Sequence, residues 1–258
     1  MKDRIAAGFS KAADEYEQFA LLQRCSVRSL HKKIALVKGR LPAGPVLEIG
    51  CGSGTLSRVL VAEMPERYFL LTDFSSGMLN KCRANFPDAD RLQKLKWQLL
   101  DGENITAQEK FVLIVSGLTL QWFTDPVRAL KSAGQALLPG GILLYSYLGD
   151  GSFPEWRAVC DKYQIPCTAN PVPDAHRINH EISKYFSKVD IWEETFKIKY
   201  PGVEDFFYSL KKTGSGTPLN GQALAVSQMK ALLKKWKGEL AGEELEMTYN
   251  IRYIMSTK

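Results

Sequence analysis

The hydrophobic pattern divides the chain into a helical opening, an alternating middle and a looser end. Between residues 5 and 38, Phe9, Tyr16, Phe19, Ala20, Leu21 and Leu22 recur near helical spacing with charged residues between them. That spacing predicts one or two amphipathic helices. Leu41-Pro-Ala-Gly-Pro45 breaks the pattern. Short apolar runs then alternate with helical stretches. Val46–Ile49, Tyr68–Thr72, Lys96–Leu100, Phe111–Ser116 and Ile142–Leu148 read as strands. Helices are expected from about Leu56 to Glu63, over Gly77–Asn85 with Ser76 as cap, and from Asp125-Pro126 to a stop at Pro139-Gly-Gly141. Strands joined by helical crossovers predict a parallel, doubly wound α/β sheet. Beyond Gly149 the pattern loosens, with prolines at 154, 166, 171 and 173. Lys188–Tyr200 and Glu246–Met255 read as late strands that suggest an antiparallel hairpin closing the sheet edge, and Glu204–Lys212 and Leu224–Leu240 as helices.

Composition narrows the class. The 258 residues are 45% hydrophobic, which excludes disorder over most of the length. No window approaches the ~18 consecutive apolar residues of a membrane span. The opening MKDRIAAGFSKAADEYEQF has acids and no apolar h-region, so a signal peptide is not expected and a cytoplasmic location is. The five cysteines are odd in number and form no C-x-x-C pair, which argues against a disulfide framework and a zinc site. His176 and His180 are four apart but lack a third ligand nearby, so no metal is expected. The net charge of +6 permits an acidic partner without naming one.

The candidate chemistry begins at Val46-Leu-Glu-Ile-Gly-Cys-Gly-Ser-Gly54. Glycines 50, 52 and 54 allow a tight turn and close approach of a ligand at the carboxyl end of the first strand. The spacing is neither the dinucleotide G-x-G-x-x-G nor a phosphate P-loop, and no Lys lies beside it. Glu48 instead suits a ligand with an ammonium and a sulfonium. Asp73 ends the second strand, where a carboxylate accepts from ribose hydroxyls. Asp101 ends the third, where one can accept from an adenine amino group.

In these features the chain resembles the class I S-adenosylmethionine-dependent methyltransferases, through VLEIGCGSG (46–54), LLTDFSSGML (70–79), LLDGENI (99–105), FVLIVSGLTLQW (111–122) and LLPGGILLYS (137–146). The resemblance implies a mostly parallel, Rossmann-like sheet of seven strands with the last antiparallel. It implies that Glu48, Gly50 and Gly52 face the methionine part of the cofactor, Asp73 its ribose and Asp101 its adenine. Cys51, Phe74, Met78 and Gly102 flank these as cofactor positions, and Ser116 lines the methyl-transfer region. The product would be S-adenosylhomocysteine.

Residues 5–23, Leu120–Trp122, Gly151–Glu155, Ser209–Gly214 with Gly216-Thr-Pro, and Met247–Tyr253 are similar to the malonyl-acyl-carrier-protein methyltransferases of biotin synthesis. Residues 160–200 match poorly. This likeness implies a malonyl carboxylate as acceptor, on an acidic acyl carrier protein. A carboxylate is ionised at neutral pH and needs no general base. Tyr16 is the candidate for closing over the methyl group, and Gln23 for assisting it. Trp122 is a pocket wall or a core residue. Lys211 or Lys212 is a cation for the substrate or a solvated charge. Residues 1–40 are expected as a helical lid on a methyltransferase domain over 41–258, with substrate-pocket insertions near 150–187 and 203–240. The basic stretch Met229–Lys237 is a carrier-docking face or a solvated one. A monomer without nucleic-acid or membrane partners is expected. The alternatives are carboxyl methylation of a small polyacid, as in the aconitate-type enzymes, and a cofactor-binding module without transfer activity.

Overall fold

The computed structural model describes residues 1–87, 93–219, 221 and 223–258. A seven-stranded sheet runs in the order β3-β2-β1-β4-β5-β7-β6. The strands are β1 (Val46–Ile49), β2 (Phe69–Asp73), β3 (Leu95–Leu99), β4 (Phe111–Gly117), β5 (Leu137–Leu148), β6 (Lys188–Tyr200) and β7 (Leu245–Thr257). The first five are mutually parallel, and β7 is antiparallel to both β5 and β6. This is the class I methyltransferase architecture the sequence predicts.

The central strands are largely apolar because helices cover both faces, with Glu48 the one charged residue of β1. Along β1, alternation sends Val46 to the face where Leu30, Ile34 and Leu60 lie, and Leu47 and Ile49 to the face holding Leu130, Ala133 and Ile178. The first face is covered by α3 (Leu21–Val37) and α4 (Thr55–Glu63). The second is covered by α6 (Pro126–Ala136) and α8 (Ala175–Ile182). Helix α5 (Ser76–Ala84) follows β2. The amino-terminal segment also holds α1 (Lys2–Ala12) and the single turn α2 (Tyr16–Phe19), three pieces where the periodicity suggested one or two. A third apolar cluster anchors α7 (Pro154–Lys162), α9 (Val203–Lys212) and α10 (Val226–Leu240). Phe206, Trp156, Trp236 and Tyr249 lie at its centre.

Three local details differ from the sequence reading. Helix α6 stops at Ala136, and Pro139-Gly-Gly141 lies within β5. Leu137 pairs with Phe111 and Ile142 with Leu113, so the intervening residues bulge from the ladder, where a proline without an N–H is tolerated. The cap of α5 is Ser75, whose hydroxyl accepts from Met78 N, one residue earlier than expected. The late strands pair over their full lengths, but α9 and α10 intervene between them, so no tight hairpin joins them.

Candidate active site

Strand order reverses between β1 and β4, and ligands of open α/β sheets bind beyond the strand ends at such a point. A cleft of about 40 Å³ lies there, lined by Glu48, Gly50–Gly52, Gly117 and Leu118 from the sheet ends and by Tyr16, Gln23 and Ser26 from the helical segment.

The glycine loop is tied to β2. Cys51 N donates to Thr72 O at 2.8 Å, and Gly52 N donates to Asp73 Oδ2 at 2.9 Å. Gly52 has φ +55° and open space where a Cβ would stand, so its backbone faces the cleft bare. Gly50 has φ +69°, and a Cβ there would come within 2.5 Å of the Thr119 hydroxyl. Asp73 spends its other oxygen on Ser75 N at 2.8 Å. Burial pushes its carboxyl up to about 6 despite these backbone donors.

Glu48 is 1% exposed and accepts from Ser57 Oγ, on the first turns of α4, at 2.5 Å. Burial foremost, then the neighbouring Cys82, raises its carboxyl well above the usual range. A cation arriving beside Glu48 and Asp73 would return both to the charged form.

Tyr16 is half-buried at the cleft wall, with Gln23 hydrogen-bonded to its phenol. Burial, and then the charge on Asp73, push the phenol above its ordinary value, against that hydrogen bond. The hydroxyl therefore remains a donor at any working pH.

The other expected positions scatter around this centre. Ser116 is fully buried and donates to Ile49 O at 2.8 Å, which leaves Gly117 and Leu118 on the cleft. Met78 is buried with Ala12 and Ala13, and half-buried Phe74 meets Phe9 edge-on. Trp122 is buried beneath Phe9. Gly102 is packed against Ile49 and the ring of Phe123. Asp101 receives Lys2 Nζ at 2.5 Å. Lys211 is exposed on the last turn of α9 and is not among the residues lining the cleft, while Lys212 pairs with Glu15. Sequence reasoning missed Leu118, whose φ of +54° turns the chain at the end of β4. No residue-type signal marks a left-handed leucine.

A model described as a methyltransferase domain matches residues 47–143. The malonyl-[acyl-carrier protein] O-methyltransferase of Magnetococcus marinus is 32% identical, over 99% of this chain and 92% of its own length. This chain belongs to the malonyl-[acyl-carrier protein] O-methyltransferase family. A second relative of that name, from Anoxybacillus flavithermus, is 27% identical over 98% of this chain and 96% of its own length. A biotin biosynthesis bifunctional protein of Bordetella avium is 31% identical over 95% of this chain and 51% of its own length. Among solved structures, the YcgJ protein of Bacillus subtilis has the same fold, with a TM-score of 0.62 at 14% identity, covering 90% of this chain and 98% of the other. The cofactor of the family, and of this chain, is S-adenosylmethionine. The residues present fit it: two buried acids with raised pKa values face a bare-backboned loop, a setting for a cationic amino acid rather than a phosphate.

Proposed function

We propose that this chain transfers a methyl group from S-adenosylmethionine to the free carboxylate of a malonyl group on acyl carrier protein, giving the methyl ester used in biotin synthesis. The observation that carries the reading beyond the family is the acceptor side of the cleft. Tyr16 and Gln23 offer hydrogen-bond donors there, and the phenol is held protonated. An acceptor needing deprotonation would require a base at that point. An acceptor that arrives ionised needs only orientation. When bound, the cofactor supplies a methyl on a cationic sulfur that departs as the neutral thioether of S-adenosylhomocysteine. Tyr16 donates to one carboxylate oxygen and leaves the other free to attack. Gln23 fixes the phenol's direction, and the ring of Tyr16 itself limits water. Glu48 holds the amino-acid end of the cofactor, Asp73 the ribose and Asp101 the adenine.

Residues 1–40 act as a lid in this reading. The carrier protein is acidic. It meets Lys230, Lys234, Lys235 and Lys237, exposed on α10. Leu232 and Trp236 of that helix are buried in the third core, which leaves little apolar face for a membrane. Among the described residues no helix is long and apolar enough to cross one. The enzyme works in the cytoplasm as a monomer, without a nucleic-acid partner.

The test is a mass measurement of malonyl-, acetyl- and unacylated carrier protein after incubation with the chain and cofactor. A gain of one methyl on the malonyl form alone is expected. Methylation of free malonate or another polyacid, with none on the carrier, would reassign the acceptor.

A pH dependence follows from Asp73. Its carboxyl sits near 6 without ligand, and ribose hydroxyls favour the ionised form. Affinity for S-adenosylhomocysteine, measured calorimetrically, should be level above pH 7. It should fall below pH 6, approaching about tenfold per unit. In Asp73→Asn the share of that fall owed to Asp73 should disappear, leaving weak binding whose remaining pH dependence reports the raised carboxyl of Glu48.

A further inference from the structure

A serine inside a helix ordinarily returns its hydroxyl proton to a carbonyl one turn back. Ser132 and Ser209 do this, donating to Ala129 O at 2.9 Å and to Phe206 O at 2.8 Å. Ser26, in the second turn of α3, makes no such bond among the described residues. Its Oγ lies 2.7 Å from Ser146 Oγ on β5, and either hydroxyl could donate. Ser146 Oγ also accepts from Leu118 N at 3.1 Å. Ser26 and Leu118 line the cleft, whereas Ser146 is fully buried behind them and is not among the lining residues. Ser29, one turn further along α3, spends its proton on Glu194 Oε2 at 2.5 Å.

Burial decides which serine donates. Were Ser26 the donor, the Ser146 proton would be left in the core without an acceptor, since Leu118 N is itself a donor. With Ser146 donating, the Ser26 oxygen is satisfied and its own proton is the one left for the cleft. The Tyr253 hydroxyl, buried beside Ser26, completes no hydrogen bond that would take this proton. The series runs from Leu118 N–H to Ser146 Oγ, from Ser146 O–H to Ser26 Oγ, and from Ser26 O–H into the cleft. Hydrogen bonds in such a series polarise one another and strengthen the last donor. Ser26 stands three residues on from Gln23, and both line the cleft. They share one face of α3, about 4.5 Å apart along its axis.

We propose that Ser26 is the second donor to the acceptor, holding the thioester carbonyl of the malonyl group while Tyr16 holds its carboxylate. The inference rests on the acceptor proposed above. A malonyl thioester carries its two hydrogen-bond-accepting groups one methylene apart. Two donors fixed on one wall of the cleft read that spacing, so Ser26 sets the length of the acyl group. The thioester carbonyl keeps its charge through methyl transfer, so its hydrogen bond is equally strong in the ground and transition states. Such uniform binding appears in KM and leaves kcat alone. Ser146 is a positioning residue: it touches no substrate and aims the Ser26 proton.

The test sets the KM for malonyl carrier protein against the inhibition constant of succinyl carrier protein, which is measurable whether or not that carrier is methylated. Ser26→Ala should raise the KM about 5- to 10-fold and leave kcat within about twofold. The succinyl carbonyl lies one methylene away from the Ser26 proton, so the succinyl constant should move less than about twofold, and the preference for malonyl shrinks. Ser146→Ala should act in the same direction by a smaller factor, about 2- to 3-fold. It keeps the turn at Leu118 tied, because Leu118 N also donates to Ser146 O at 2.9 Å. Calorimetric affinity for S-adenosylhomocysteine should stay within about twofold in both variants. A KM that is unchanged in Ser26→Ala, or that rises only in step with the succinyl constant, overturns the inference, while methyl transfer by the parent still upholds the acceptor. A loss of S-adenosylhomocysteine affinity equal to the loss on the carrier also overturns it, and puts the hydroxyl on the cofactor. A parent chain that binds S-adenosylhomocysteine and methylates no malonyl carrier removes the acceptor reading and this inference with it.

Discussion

Asp73→Ala is expected to weaken S-adenosylhomocysteine binding by about 100-fold or more. The carboxylate is 5% exposed, and its two oxygens already accept from Gly52 N and Ser75 N. Each carboxylate oxygen has lone pairs beyond those bonds, and ribose hydroxyls donate to what remains. Two charge-assisted hydrogen bonds at about 1.5–3 kcal/mol each account for a loss of that size. The substitution also strands the buried Ser75 N–H, at about 1–3 kcal/mol, and frees the part-buried Gly52 N–H. The glycine loop should therefore loosen, and the variant should melt at a lower temperature without ligand. Asp73→Asn separates these effects. Its amide oxygen still satisfies one of the two backbone donors, while its NH₂ meets the other donor with the wrong polarity and gives the ribose hydroxyls no charged acceptor. It should recover part of the stability and little of the affinity. Calorimetry with S-adenosylhomocysteine and a thermal melt of the free chain read the two separately. Affinity within threefold of the parent would take Asp73 out of the cofactor site.

The core of this arrangement was legible because it is local. Four of the five parallel strands announce themselves as largely apolar runs between helix signals, since both faces of the sheet are covered there, while β3 at the edge keeps Lys96, Gln98 and Leu99 exposed. Lys188–Tyr200 appears with the bounds read from the sequence. The glycine loop and the strand-end acids are set by strand geometry alone. What escaped depends on residues far apart in sequence. The pair between Lys2 and Asp101 spans nearly a hundred positions, and nothing in either segment announces the other. Asp101 reads as an open acceptor in sequence and is ion-paired in the fold. Ser116 reads as a cleft residue, but its hydroxyl turns back to Ile49 O because the neighbouring strand offers a carbonyl at 2.8 Å. The bulge at Pro139-Gly-Gly141 escaped because a proline-glycine stop looks the same whether it ends a helix or interrupts a strand.

Tyr16→Phe carries the largest expected effect on the chemical step. The variant should lower kcat on malonyl carrier protein by about 10- to 100-fold, the loss of one hydrogen bond to a charged group at about 1.5–3 kcal/mol. Affinity for S-adenosylhomocysteine should stay within about twofold. The ring remains, with its contacts to the Ala12, Ala13 and Met78 cluster, so the cleft wall keeps its shape. Gln23→Ala should give a smaller loss in the same direction, because Gln23 acts by holding the phenol. The pH profile distinguishes orientation from base catalysis. A tyrosinate base would make kcat climb tenfold per unit toward the raised pKa of Tyr16. A donor to a carboxylate that is already ionised gives a kcat with no such limb between pH 7 and 9. A climbing profile that vanishes in Tyr16→Phe would mean the acceptor arrives protonated, and a malonyl carboxylate could not be that acceptor. Equal loss of cofactor affinity and kcat would instead make Tyr16 a wall of the cofactor cleft with no part in presenting the substrate.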